Sequence, residues 1–146
     1  MAKLQNVIFS ENQQENFNSE RPITTIINPD FIFRPDFIPG NFSFAINIII
    51  SGLNTKEKNQ SFRFIFKDPD GDVFNDSGEM PIAITNQPEI IKSDLPEEAH
   101  GVRIALDFRN AVFKKEGRYV MDVYYQKEHI GSQDLFIYKK ADTENE

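Results

Sequence analysis

Apolar and polar residues alternate with a period of two in block after block of this chain. Phe42, Phe44, Ile46, Ile48 and Ile50 are interleaved with Ser43, Ala45, Asn47, Ile49 and Ser51. Phe62, Phe64 and Phe66 stand between Ser61, Arg63, Ile65 and Lys67, and Val102, Ile104, Leu106 and Phe108 between Arg103, Ala105, Asp107 and Arg109. A strand turns successive side chains to opposite faces, so each block predicts a strand with one face inward. Tyr119, Met121, Val123 and Tyr125 repeat the pattern, and Ser132 to Tyr138 closes the chain with Leu135 and Ile137 opposed to Phe136 and Tyr138. Shorter strands are expected at Lys3 to Ser10, placing Leu4, Val7, Ile8 and Phe9 near a core, and at Ile23 to Ile27, Val73-Phe74 and Met80 to Ile84.

The breaks between blocks carry turn chemistry. Asp68-Pro69-Asp70-Gly71 combines a proline that presets φ with a glycine that accepts positive φ, Asn86-Gln87-Pro88 ends another strand, and Gln126 to Gly131 is of hairpin length. Three prolines cut the aromatic stretch Pro29 to Gly40 into short extended pieces. Proline cannot donate to a ladder, so this stretch is expected at a sheet edge or as a crossing connection. The polar run from Glu11 to Asn16 reads as a mobile loop, extended to residues 11–21. Ser93 to Gly101 holds the one helical signal, a turn or two with acidic residues near its start. Eight or nine short strands predict one all-β domain over residues 1–138, a two-sheet antiparallel β-sandwich, with a polar tail over 139–146.

Composition agrees. There are 18 Ile and 14 Phe but only 5 Leu and no Trp, with 13 Asn and 8 Pro, a choice that suits pleated surfaces and bends and disfavours a helical bundle. The 16 basic and 23 acidic residues leave a net charge of -7 and no basic run longer than two, which disfavours nucleic acid and anionic membrane as partners. The absence of Cys excludes disulfides, thiolate nucleophiles and thiolate-bound metals. Neither a secretory leader nor a run of about 20 apolar residues is present, so the cytoplasm is the expected compartment.

The segment Glu116-Gly117-Arg118-Tyr119-Val120-Met121-Asp122-Val123-Tyr124-Tyr125, followed by Ile130 and Leu135-Phe136-Ile137, resembles the closing hairpin of Ig-like modules. Tyr119 would be the tyrosine of their corner motif. With the strand and turn from Phe64 to Gly71, residues 40–138 resemble a family of small bacterial and phage proteins of Ig-like or C2-like sandwich fold. That family brings no known catalytic residues to transfer.

Candidate chemistry is sparse. Asp68, Asp70 and Asp72 present hard oxygen ligands in one loop, as a Ca²⁺- or small-ligand-binding C2-like module would, although a tight hairpin accounts for the same residues. A hydrolase would need His100 or His129 beside a Ser and an acid, and no catalytic motif accompanies either, so both are expected as ordinary surface side chains with His129 in a hairpin loop. No cofactor is implied, and carbohydrate binding lacks its usual Trp platform. The aromatics outside the core pattern are Phe31, Phe33 and Phe37 in the proline-broken stretch and Tyr124, Phe136 and Tyr138 on an outer face. Phe31 and Phe33 could close the sandwich end as a lid. Phe37, Tyr124, Phe136 and Tyr138 are the candidates for an interaction surface. The expected function is a non-catalytic protein–protein interaction or structural module that binds a protein partner or itself through an outer face or a free edge.

Overall fold

The computed structural model describes residues 1–16, 23–54, 56, 57, 59–82 and 95–141. Ten strands form among them: β1 (Lys3–Asn16), β2 (Ile23–Pro29), β3 (Ile32–Phe33), β4 (Gly40–Ser51), β5 (Gln60–Lys67), β6 (Val73–Asp76), β7 (Met80–Ile82), β8 (Gly101–Phe113), β9 (Gly117–Tyr125) and β10 (Glu128–Ile137). One sheet runs β2-β1-β4-β8. The other runs β3-β10-β9-β5-β6, with β7 also on β5. The chain is an all-β, Ig-like sandwich of two packed sheets.

The inward residues of the alternating blocks form the core as expected. Phe44, Ile46, Ile48 and Ile50 of β4 face Phe62, Phe64 and Phe66 of β5 and Tyr119, Met121 and Val123 of β9 in one buried cluster. Phe44 lies at its centre, with the rings of Phe9, Phe33, Phe66, Phe108 and Phe113 all within 6.5 Å, centroid to centroid. Tilted and edge-on contacts of this kind add to the stabilisation from burial alone.

The corner tyrosine of the Ig resemblance is present. Tyr119 is buried and its hydroxyl donates to the Lys115 carbonyl at 2.8 Å, tying the start of β9 to the preceding connection. Burial lifts its hydroxyl above the ordinary pKa. The turn after β5 forms as its residues predict, with the Gly71 N–H donating to the Asp68 carbonyl at 2.9 Å and Gly71 at φ 86°.

Four expectations need correction. Residues 11–16 are strand, not loop: β1 continues to Asn16 because β2 pairs with it from Ser10↔Pro29 to Asn16↔Ile23. Residues 17–21 of the expected loop lie outside the described residues, as do Ile84, Asn86 to Pro88, Ser93, Asp94 and tail residues 142–146. The sandwich is not wholly antiparallel, since β3 runs parallel to β10. His129 stands in β10 instead of a loop, because β9 and β10 join through a turn at Gln126 and Lys127, both at positive φ (52° and 66°). His100 is buried, not a surface side chain, and follows the short 3-10 turn Glu97–Ala99 within the segment of the helical signal.

The extension of β1 covers a face that alternation assigned to solvent. Gln13 Nε2 donates to the carbonyls of Ile46 (3.4 Å) and Leu106 (3.1 Å), and Arg103 Nη1 donates to Thr24 Oγ1 (3.3 Å). The β1–β2 hairpin therefore lies across the outer side of β4 and β8. Ala45 and Asn47, outward residues of β4, are buried beneath it.

Phe44→Ala is expected to lower unfolding free energy by about 3–5 kcal/mol, because a ring buried among five others leaves a cavity. Tyr119→Phe should cost only about 1 kcal/mol, the worth of the lost corner hydrogen bond. Urea unfolding of the two variants checks both values, and equal losses would contradict this ranking.

Candidate interaction surface

Three of the four expected surface aromatics, Phe37, Phe136 and Tyr138, lie at one edge of the six-stranded sheet, with Phe31 beside Phe136. Phe33 of β3 pairs with Ile137 of β10, and beyond the strands the Tyr138 N–H donates to the Phe33 carbonyl and the Lys140 N–H to the Pro35 carbonyl. Arg34 reaches across to the Tyr138 (3.3 Å) and Lys139 (2.7 Å) carbonyls. These bonds hold the proline-broken stretch against the end of β10.

The stretch divides its rings between core and solvent. Phe33 points inward, stacks on Phe42 at 5.0 Å and is buried, so the lid expectation holds for it. Phe31 points outward, 63% exposed, edge-on to half-buried Phe136 at 6.2 Å. Tyr138 is 41% exposed and Phe37, in the turn before β4, is 75% exposed. That turn contains the cis peptide Ile38-Pro39, and any side chain at Gly40 would collide with the Phe37 carbonyl oxygen. Phe37 also borders a groove of about 250 Å³ with Arg34, Asp36, Phe42 and Lys140. Lys140 pairs with Asp36 at 3.2 Å.

Tyr124 does not join this ledge. It lies on the outer face six residues along β9 from Arg118, the residue paired with Phe136, a separation of roughly 20 Å. Its ring packs on His129 at 5.3 Å.

His129 does lie near a serine and an acid. Its Nε2 is 3.0 Å from Ser132 Oγ and 3.5 Å from Asp122 Oδ1, while Ser132 Oγ donates to Asp122 Oδ1 at 2.6 Å. A nucleophilic triad needs the serine proton to point at the imidazole and the acid to hold the other ring nitrogen. Here the serine proton points at the acid, and both partners sit at the same ring nitrogen on the open sheet face. Burial opposes ionisation of Asp122, but Ser132, Lys67 (3.2 Å) and His129 outweigh it and keep its pKa below the ordinary value. The group is a surface charge cluster.

The acidic turn does bring its three carboxylates together, with one oxygen of each of Asp68, Asp70 and Asp72 within 4.8 Å of the others. The Lys115 ammonium already sits among them and offsets one of their three negative charges, lying 2.5 Å from Asp70, 3.2 Å from Asp68 and 4.0 Å from Asp72. Hydrogen bonds to Asp70 and Asp68 hold the Lys115 pKa well above its usual value. Burial acts against ionisation of Asp68, yet Lys115 and the backbone N–H groups of Asp72 and Asp70 lower its pKa on balance. Sequence spacing could not reveal Lys115, which joins this turn from 45 residues away.

On the other side of the same sheet edge, Arg63 donates to Asp76 through Nε (3.0 Å) and Nη2 (2.5 Å), and this pairing with the Gly78 N–H lowers the Asp76 pKa to about 2. Because Lys115 supplies the positive charge of the acidic turn, Ca²⁺ is expected to leave the melting temperature unchanged and to give no calorimetric heat; either response would contradict that assignment. The depressed carboxylates favour the folded state above their unfolded pKa, and this contribution is lost as pH falls from about 4 to about 2. Asp76→Asn should flatten the fall of urea midpoints in that window, and an unchanged slope would refute the role given to Asp76.

Comparison with known proteins adds no family. No protein-family description matches the chain, and no curated protein does. Among solved structures, an immunoglobulin-like protein from Pseudomonas aeruginosa is similar at TM-score 0.42 and 12% identity, over 94% of this chain and 96% of that one. A Pseudomonas fluorescens alkylpurine DNA glycosylase bound to DNA with an abasic-site analogue is similar at TM-score 0.49 and 8% identity. That match covers 94% of this chain, which spans 30% of the glycosylase. No described helix is long and apolar enough to cross a membrane.

Proposed function

We infer that this chain is a non-catalytic interaction or structural module of the bacterial or phage cytoplasm that binds a protein partner or a further copy of itself. The observation that carries the reading is the aromatic ledge along β3 and the end of β10. A rigid sheet edge there presents Phe31, Phe37 and Tyr138 to solvent beside Arg34 and Lys140. Aromatic side chains flanked by guanidinium and ammonium groups suit a protein contact, since they supply area at low entropic cost within a polar rim. The net charge of -7 argues against a nucleic-acid backbone as the partner. Two arrangements speak for this reading over a hydrolase or a metal-dependent module: the Ser132 hydroxyl donates to Asp122 instead of the His129 ring, and Lys115 sits within the acidic turn.

A photo-crosslinking amino acid placed at Phe37 or Tyr138 in native host cells is expected to give discrete protein adducts. The same probe at Lys127, on the turn at the far end of β9, is the control. No adduct at either ledge position, or the same adducts at all three, would refute the ledge as the contact surface.

A further inference from the structure

The sheet edges of this molecule are unequally protected. β3 is two residues long and flanked by Pro29 and Pro35, β6 is four residues long, and β7 is three residues long and contains Pro81. Shortness and proline are common means of keeping an edge from pairing with other chains. β8 has neither: it runs for 13 residues without proline and, among the described residues, pairs with β4 alone.

Its backbone orientation follows from one side chain. Gln13 Nε2 reaches the carbonyls of both Ile46 and Leu106, which are paired residues, so the two oxygens lie close together. That happens where a residue pair exchanges its hydrogen bonds and not in the alternate, wide pairs. The N–H and C=O groups of Leu106 therefore point to β4, and those of Arg103, Ala105 and Asp107 point out from the edge.

The side chains of these three residues match their own mirror order. We propose that β8 pairs antiparallel with β8 of a second copy, in the register that sets Ala105 against Ala105, joining two four-stranded sheets into one of eight. This names the partner in the self-binding branch of the reading above and rests on it. In that register Arg103 of each copy faces Asp107 of the other, giving two opposite-charge pairs around a small central residue. On the core side, Ile104 faces Leu106 and Val102 faces Phe108. A groove of about 270 Å³ along this edge, lined by Phe62, Met80, Ile82, Val102, Ile104 and Leu106, receives the apolar side chains.

Other registers lose the match. Moving the centre to Leu106 sets Arg103 against Arg109, and moving it to Asp107 sets that carboxylate against itself. A longer slip that brings Asp107 to Arg109 meets the irregularity at Asn110, which has φ 54°. The hairpin arm also prepares the contact, because Thr24 holds the Arg103 guanidinium over the outer face at 3.3 Å. Asp107 and Arg109 have no ion pair or hydrogen bond through their side chains among the described residues.

Sedimentation equilibrium of the full chain at increasing concentration tests the proposal. The wild type is expected to form a dimer, and Arg103→Asp or Asp107→Arg alone should weaken it by roughly tenfold or more through two like-charge contacts. An equimolar mixture of the two variants should restore the dimer, since each then faces its complement at both positions. Ala105→Pro, which removes an outward N–H, should be monomeric with a near wild-type melting temperature, so loss of dimer is not loss of fold. A monomeric wild type, or a dimer that both charge variants leave unchanged, overturns the β8 pairing. Adducts at Phe37 and Tyr138 would still stand in either case, so failure here is separable from failure of the interaction reading.

Discussion

The ring of Phe44 is the contact on which the rest of this sandwich depends. It projects from the central part of β4 and meets rings from β1, β3, β5 and β8 and from Phe113 at the end of β8. Both sheets and the proline-broken crossing thus share one aromatic cluster. β3 carries this cluster out to the sheet edge. With Phe33 seated against Phe44 and Phe42, its neighbours Ile32 and Arg34 turn the other way, while Phe31 stands in the bend before β3, exposed and edge-on to Phe136. The buried Phe33 thus anchors the crossing whose bend carries Phe31.

Charge in this chain is organised locally. Lys115 among three aspartates, Arg63 on Asp76, and Lys67 with His129 on Asp122 each contact acidic groups that a strand or turn brings together. All are solvent-accessible, where screening keeps the stabilisation per pair small. Their consequence is chemical: groups that would resemble a metal site or a catalytic triad by residue type are already engaged with one another. Arg103, Asp107 and Arg109 on β8 differ, since they alternate in sign along an edge and lack ion-pair partners among the described residues.

The hairpin arm shows how a polar sequence can be structural. Glu11 to Asn16 has no apolar alternation, yet it forms strand because β2 supplies its hydrogen bonds and the sheet beneath supplies carbonyls for Gln13. Its effect is to bury Ala45 and Asn47, so β4 is covered on both faces.

The sequence by itself determined the strands with a strong period of two, the inward identity of Phe44, Ile46, Phe64, Val102 and Tyr119, and the turn at Asp68 to Gly71. These follow from local geometry: side-chain alternation and the φ preferences of Pro and Gly act within a few residues. Corner tyrosine Tyr119 was legible too, since its bond spans only four residues. Tertiary structure alone decided the arm over β4 and β8, the parallel pairing of β3, the burial of His100, and the meeting of Lys115 with an acidic turn 45 residues away. It also separated Tyr124 from Phe136 and Tyr138. Each of these depends on which distant backbone or charge arrives opposite a residue, and periodicity within one strand carries no information about its neighbour.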